Sequence, residues 1–279
     1  MRDGVCTKRV CSAIFAFSIG ASFLLGGCPL KPPKKPETVS QPVQEEKAYR
    51  PTTSSEVHYR FWEPGGVDIG LSGFLTYLRE TNMSSEPSQE ERPYFFIILL
   101  DDTGVDMMEW DQAIRTADAV IAQMDVGEAA IVIGIDNDSR QGRDVRVPLT
   151  VLASQTVKVP RERLTLRQKV RALTQRPVVK EGTDILGALS QALHYAAQTE
   201  STHRPVVVGL SNMVPQDEYE RLLFRTDASG VAADAASVGK FPEGAEGAFF
   251  YVSTEHYSAA VNYWQPLMSQ IGVNVEPLP

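Results

Sequence analysis

Residues 93–105 read Pro-Tyr-Phe-Phe-Ile-Ile-Leu-Leu-Asp-Asp-Thr-Gly-Val, and this run constrains the fold more than any other stretch. From Tyr94 to Leu100 no side chain offers a polar face. A strand built from them must be covered on both sides, as a central strand of a parallel sheet is. The polar turn that follows puts Asp101, Asp102 and Thr103 at the strand's carboxyl end, the edge at which open α/β sheets bind ligands.

Further apolar strand candidates are Ala129–Ile135, Val206–Leu210 and Ala248–Val252. Helical spacing joins Trp110, Ile114, Ala117, Val120 or Ile121 and Met124 over 107–124. The same spacing joins Ile185, Leu189, Leu193 and Ala196 over 184–197, and Val261, Trp264, Leu267 and Ile271 over 258–271. Both tryptophans lie on apolar faces and are expected in the core. Strands alternating with helices predict an α/β fold, a doubly wound, mostly parallel central sheet flanked by helices. Residues 92–279 form this main domain, and residues 56–91 are read as an extension packed on it. In the extension, residues 68–79 suit a helix with Ile69, Leu71, Phe74, Leu75 and Leu78 turned inward, and 83–92 suit a polar loop broken at Pro87. Tyr59, Phe61 and Trp62 are expected to pack rather than to form a binding patch, because clustered aromatics bury apolar area.

The amino-terminal segment has a different character. Arg2, Lys8 and Arg9 precede an apolar stretch from Val10 to Leu25 that ends Leu25-Gly26-Gly27-Cys28. This is the pattern of a secretory signal, residues 1–27, and it is shorter than the roughly 20 apolar residues of a membrane-spanning helix. Leu-Gly-Gly-Cys resembles the lipobox of bacterial lipoproteins. The resemblance implies cleavage before Cys28 and lipidation of its thiol, with several acyl chains on the one residue, palmitate among them. Cys6 and Cys11 would leave with the signal, so the mature chain would hold neither a disulfide nor a cysteine metal cluster. Residues 28–55, rich in Pro and Lys at first and polar afterwards, read as a disordered, extended tether. Pro29 and Leu30 follow the anchor without an aspartate. By resemblance to enterobacterial sorting this implies the periplasmic face of the outer membrane, or the outer face of the plasma membrane in a cell with one membrane.

The whole chain has 27 basic and 35 acidic side chains; without residues 1–27 the figures are 24 and 34, a formal charge of −10. Such a balance disfavours nucleic acid as a partner and leaves membrane affinity to the lipid.

Three loops should meet at the sheet's carboxyl edge: Asp101–Asp106, Glu181-Gly182-Thr183-Asp184, and the stretch Ser211–Asp217 that opens with Ser211-Asn212. Together with the strand order they resemble the von Willebrand factor A domain. That family holds a divalent cation with an Asp-x-Ser-x-Ser turn, a threonine in a Gly-Thr loop before a helix, and an aspartate after a later strand. By this resemblance Asp101, Thr103 and Thr183 are the candidate metal ligands, with Mg²⁺ or another divalent cation as cofactor. Val105 stands in place of the second hydroxyl and Ser211 in place of the later aspartate, which leaves a thin ligand set for a hard cation. Asp184 also suits a helix cap, and Asp106 a helix amino terminus. The resemblance implies non-catalytic capture of a protein partner, in adhesion or envelope assembly, with Asp102, Asp106, Asp184 and Asn212 on the contact surface.

Two alternatives come from other classes. Asp101-x-Thr-Gly-Val and the strand ending Leu-Ser211-Asn212 also resemble haloacid-dehalogenase-type phosphatases, where a carboxylate attacks phosphorus with Mg²⁺ present. Thr103, however, stands where their acid/base aspartate would be, and Gly182-Thr183-Asp184 is left unexplained. A purely structural envelope protein is the second alternative. His58, His194, His203 and His256 show no paired ligand spacing. Residues 136–139, Asp-Asn-Asp-Ser, read as an Asx-rich turn rather than a calcium loop.

Overall fold

The computed structural model describes residues 60–84, 92–101, 107–136, 139, 144–175, 183–214 and 228–278, and the side chains of these except 82–84 and 107–109. Cys28, Asp102, Thr103, Asp106, Glu181, Gly182 and Asp217 lie outside the described residues, as do Tyr59, His58, the signal and the tether.

Among the described residues seven strands form one sheet: β1 Phe61–Trp62, β2 Tyr94–Asp101, β3 Ala129–Ile135, β4 Val145–Val151, β5 Arg204–Leu210, β6 Ala245–Phe250 and β7 Val273–Asn274. The helices are α1 Val67–Ser84, α2 Met107–Ala122, α3 Val159–Arg171, α4 Ile185–Thr199, α5 Ala228–Val238 and α6 Tyr257–Gln270. The order across the sheet is β4-β3-β2-β5-β6, and both β7 and β1 pair directly with β6, β7 along its first residues and β1 along its last. Every pairing is parallel except β3 with β4. The chain runs outward from β2 through β3 to β4, then returns to the other side of β2 and runs outward again through β5, β6 and β7. The reversal of strand order therefore falls between β2 and β5, where open α/β sheets leave a crevice.

The apolar run of β2 is buried along its whole length. Its alternate side chains enter two cores. Tyr94, Phe96, Ile98 and Leu100 meet α1, α2 and α3, while Phe95, Ile97 and Leu99 meet α4, α5 and α6. Each fully buried Ile, Leu or Phe contributes about 1.5–3 kcal/mol relative to exposure. Trp110 and Trp264 are buried, one in each core.

The two short edge strands depend on side-chain packing. Phe61 stacks on Phe249 at 5.1 Å and Trp62 on Phe250 at 4.9 Å between ring centroids. Gly209 makes room for the first stack, because a Cβ there would lie 2.3 Å from the Phe249 ring. Arg60, 1 % exposed, forms an ion pair with Glu246, which also accepts from Arg204 at 3.0 Å and from Asn274 Nδ2 at 3.1 Å. The Arg60 guanidinium lies 4.5 Å from the centre of the Tyr77 ring on α1, so one buried cation joins β1, β6 and α1.

Several elements depart from the periodicity reading. The helix expected over 68–79 runs from Val67 to Ser84, so Met83 and Ser84 close a helix rather than open a loop. Ile69, expected inward, is exposed, because the face of α1 that meets the sheet is set by Val67, Leu71, Phe74 and Leu78. α3 and α5 carry no strong apolar period, and their place comes from packing on what the apolar strands build; β4 alternates Val145, Val147, Leu149 and Val151 with Arg146, Pro148 and Thr150, a strand pattern that Pro148 confines to the sheet's edge.

Candidate functional site

Leu100 of β2 pairs with Leu210 of β5. The next residue of each strand, Asp101 and Ser211, therefore stands at the crevice, and Ser211 Oγ donates to Asp101 Oδ2 at 2.6 Å. Both side chains are 2 % exposed. Ser211 Oγ also accepts from the Met213 N–H at 3.0 Å, and the Ser211 N–H donates to the Phe250 carbonyl at 3.1 Å. A single hydroxyl thus joins the ends of β2 and β5, and the backbone beside it reaches β6.

The loop before α4 arrives at the same edge. The Asp184 N–H donates to the Asp136 carbonyl at 2.7 Å, and Asp136 directly follows β3, whose Ile135 pairs with Asp101. Asp184 Oδ1 accepts the Gly187 N–H at 2.8 Å, an N-cap contributing about 1 kcal/mol. This oxygen is therefore engaged by the helix, which limits what Asp184 offers a partner. Thr183 beside it is half-buried. Asn212 closes an Asx turn, accepting the Val214 N–H at 2.9 Å through Oδ1, and its carbonyl accepts the Ser253 N–H at 2.9 Å. The turn after β3 is closed by Ser139, whose Oγ accepts the Asp136 N–H at 3.0 Å. Arg146 of β4 lies 3.7 Å from Asp136 and is the cation nearest that turn among the described ion pairs.

Two features of this edge had no signal in the sequence. Among the described residues, the non-glycine residues with left-handed backbone are Met213 (φ 59°) and Tyr251 (φ 69°), and both follow strands at this edge. Such conformations cost about 1–3 kcal/mol and persist where surroundings fix them. Met213 is held by Ser211 at its N–H and by Trp264 Nε1, which donates to its carbonyl at 2.8 Å. Tyr251 is held through its hydroxyl, 2.6 Å from Thr116 Oγ1 of α2. No local pattern marks either residue; each depends on a partner at least 50 positions away in the chain.

At the crevice the described part of the edge supplies the carboxylate of Asp101 with hydroxyls from Ser211 and Thr183, while Asp136 is paired with Arg146 and Asp184 caps α4. One oxygen of that carboxylate is already taken by the Ser211 proton. Mg²⁺ is a hard cation that relies on carboxylates and water in octahedral geometry, and a single engaged carboxylate offsets half of its charge at most. The described residues do not by themselves fit a resident divalent cation. They do fit a hydrogen-bonded turn that presents backbone and short polar side chains on a rigid base.

No protein-family profile and no curated protein matches the chain. Structural neighbours include two proteins of von Willebrand factor A fold. One is the pilus adhesin SpaC of Lactobacillus rhamnosus GG in its open conformation, with 14 % identity and a TM-score of 0.30. The match covers 46 % of this chain and 15 % of the adhesin, so the chain corresponds to a small part of that protein's length. The other is manganese-loaded TRAP protein of Plasmodium vivax, with 11 % identity and a TM-score of 0.35, covering 65 % of this chain and 74 % of that one.

Proposed function

We propose that this chain is a lipid-anchored envelope protein that captures a protein partner, without catalysis, through the loops at the carboxyl edge of its sheet. The reading rests chiefly on the Ser211–Asp101 hydrogen bond at the reversal of strand order. It supplies a rigid base at the position where α/β sheets present ligand-binding loops. Supporting it are the Asp184 cap on α4 and the Asn212 turn after β5, which fix the two neighbouring loops. Cys28 is the site of lipidation in this reading, residues 28–55 the tether, and Asp102, Asp106, Asp184 and Asn212 the polar contact groups. The von Willebrand factor A resemblance of the sequence leads to the same edge.

A phosphatase would need Asp101 as a nucleophile in line with phosphorus. A carboxylate this buried, with a serine proton on one oxygen, is poorly disposed to attack. Two measurements separate the readings. Partner capture in a quantitative pull-down should fall about tenfold or more for Thr183→Ala and Asn212→Ala, the scale of a residue central to an interface. Hydrolysis of p-nitrophenyl phosphate with Mg²⁺ should stay at background for both wild type and Asp101→Asn. Full capture by both loop variants would refute the assigned surface, and Mg²⁺-dependent turnover abolished by Asp101→Asn would establish the phosphatase.

A further inference from the structure

At the opposite end of the sheet lies a second surface that the reading above does not use. Thr150 of β4 pairs with Ala130 near the start of β3, so this end of β4 is at the sheet's amino edge. Between it and α3 runs a groove of about 490 Å³ lined by Thr150, Val157, Lys158, Arg161, Thr165 and Lys169, with Glu162 and buried Leu166 at its base.

Two properties set this groove apart. The first is its charge. Residues 157–175 contain six basic side chains and one acidic in a chain whose net charge is −8. Arg167 and Arg171 are paired with Asp118 of α2, and Glu162 accepts the Ala153 N–H at 2.7 Å, which draws it toward the loop entering α3. Lys158, Arg161 and Lys169 are exposed and form no ion pair among the described residues. The second property is an apolar rim. Val157 is 92 % exposed beside Lys158, where water gains nothing from a branched aliphatic side chain.

We infer that this groove binds an acidic segment of a partner protein that also carries an aliphatic side chain, the carboxylates meeting Lys158, Arg161 and Lys169 and the aliphatic group covering Val157. Charge complementarity selects the acidic partner in a molecule that otherwise repels anions. Concavity selects an inserted segment over a flat bilayer. Pro148, which lacks an N–H, and Thr150 Oγ1, which donates to the Pro148 carbonyl at 2.9 Å, disrupt the free edge of β4. Recognition therefore runs through side chains rather than through an added strand.

The test is fluorescence anisotropy on the purified full chain with three short labelled peptides, built from Glu and Leu, Glu and Ser, or Lys and Leu, and with phosphatidylglycerol vesicles in a parallel arm. The Glu-Leu peptide should bind, and the triple variant K158E/R161E/K169E should weaken it about tenfold or more. Val157→Ser should weaken it about threefold. The charge-reversed variant should instead gain binding to the Lys-Leu peptide, which shows that the reversed protein is still folded. Thr183→Ala and Asn212→Ala should leave the peptide unaffected, so this groove and the carboxyl edge fail or stand separately. Equal affinity for the Glu-Ser peptide, indifference to charge reversal, or a vesicle response that K158E/R161E/K169E abolishes, with no peptide bound, would overturn the proposal, the last in favour of a membrane-facing patch.

Discussion

Ser211 has one hydroxyl proton and two lone pairs, and the proton and one lone pair are in use: the proton goes to Asp101 and the Met213 N–H comes to the oxygen. Removing the hydroxyl takes one hydrogen bond from the buried Asp101 carboxylate and one from the Met213 N–H. Ser211→Ala should therefore lower unfolding free energy by about 2–4 kcal/mol, measured by urea denaturation. A loss within about 0.5 kcal/mol would mean that water or another residue replaces the bond. Ser211→Asp makes a sharper test of the ligand set. A second carboxylate within hydrogen-bond distance of Asp101 is repelled in the apo protein and attractive to a dication. The variant should melt below wild type in EDTA and regain stability on adding Mn²⁺ or Mg²⁺, whereas calorimetric titration of the wild-type protein should show no saturable binding up to millimolar metal. Saturable binding by wild type, lost in Thr183→Ala, would mean that Thr103 or Asp102 completes the site.

Among the elements, α3 shows how a helix with little apolar surface is docked. It buries Val159, Leu166 and Val170, and it adds a charged clamp in which Arg167 Nε and Nη2 reach Asp118 at 2.8 and 2.9 Å and Arg171 Nη2 reaches it at 2.7 Å. Burial pushes the Asp118 carboxyl up, but the two guanidiniums outweigh it and hold the group below its ordinary value of 3.8. A carboxyl with a lower pKa in the folded state adds stability at neutral pH and loses it as pH falls below about 4. Asp118→Asn should flatten the acid limb of the stability curve and raise hydrogen exchange in α3 before the strands. An unchanged acid limb would show that the clamp contributes nothing. Helix α1 gives the alkaline counterpart. The Tyr94 hydroxyl donates to the Leu78 carbonyl at 2.7 Å, and burial pushes its pKa up to about 12. The unfolded phenol ionises near 10, so the contribution of Tyr94 is intact below about pH 10 and disappears as pH rises toward 12. Tyr94→Phe should remove that alkaline loss.

For the whole molecule, Glu246 is where the amino-terminal strand, the far edge of the sheet and α1 are joined, because Arg60, Arg204 and Asn274 all converge on it. Breaking a buried pair by removing one partner costs about 3–5 kcal/mol, so Glu246→Ala should lower the melting temperature markedly. The loss should be smaller in an Arg60→Met/Glu246→Leu double variant, which removes the fully buried cation together with its counter-charge and deprives only the part-exposed Arg204 and Asn274 of their carboxylate; equal losses would refute that account. The two binding surfaces proposed here lie at opposite ends of the sheet, an arrangement suited to bridging two partners. Much of the scaffold was legible from local pattern. An apolar run such as Tyr94–Leu100 can be stable only with both faces covered, and a 3.6-residue apolar period can bury only one stripe, so the central strand and α1, α2, α4 and α6 follow from the residues themselves. The Asp184 cap was equally local, since the side chain bonds an amide three residues on. Strands β1 and β7, two residues each, and the charged helix α3 were not legible, because what holds them is contact with elements distant in sequence; β4 alternates apolar and polar residues, but Pro148 at its centre suits a strand only at the sheet's edge, which the local pattern does not give. The same holds for the Asp101–Ser211 bond: its residues are 110 positions apart, and only the reversal of strand order between β2 and β5 brings them together. Side-chain period is a local property of the chain, whereas strand order is set by the closing of the whole sheet, and the candidate site lies where the second decides.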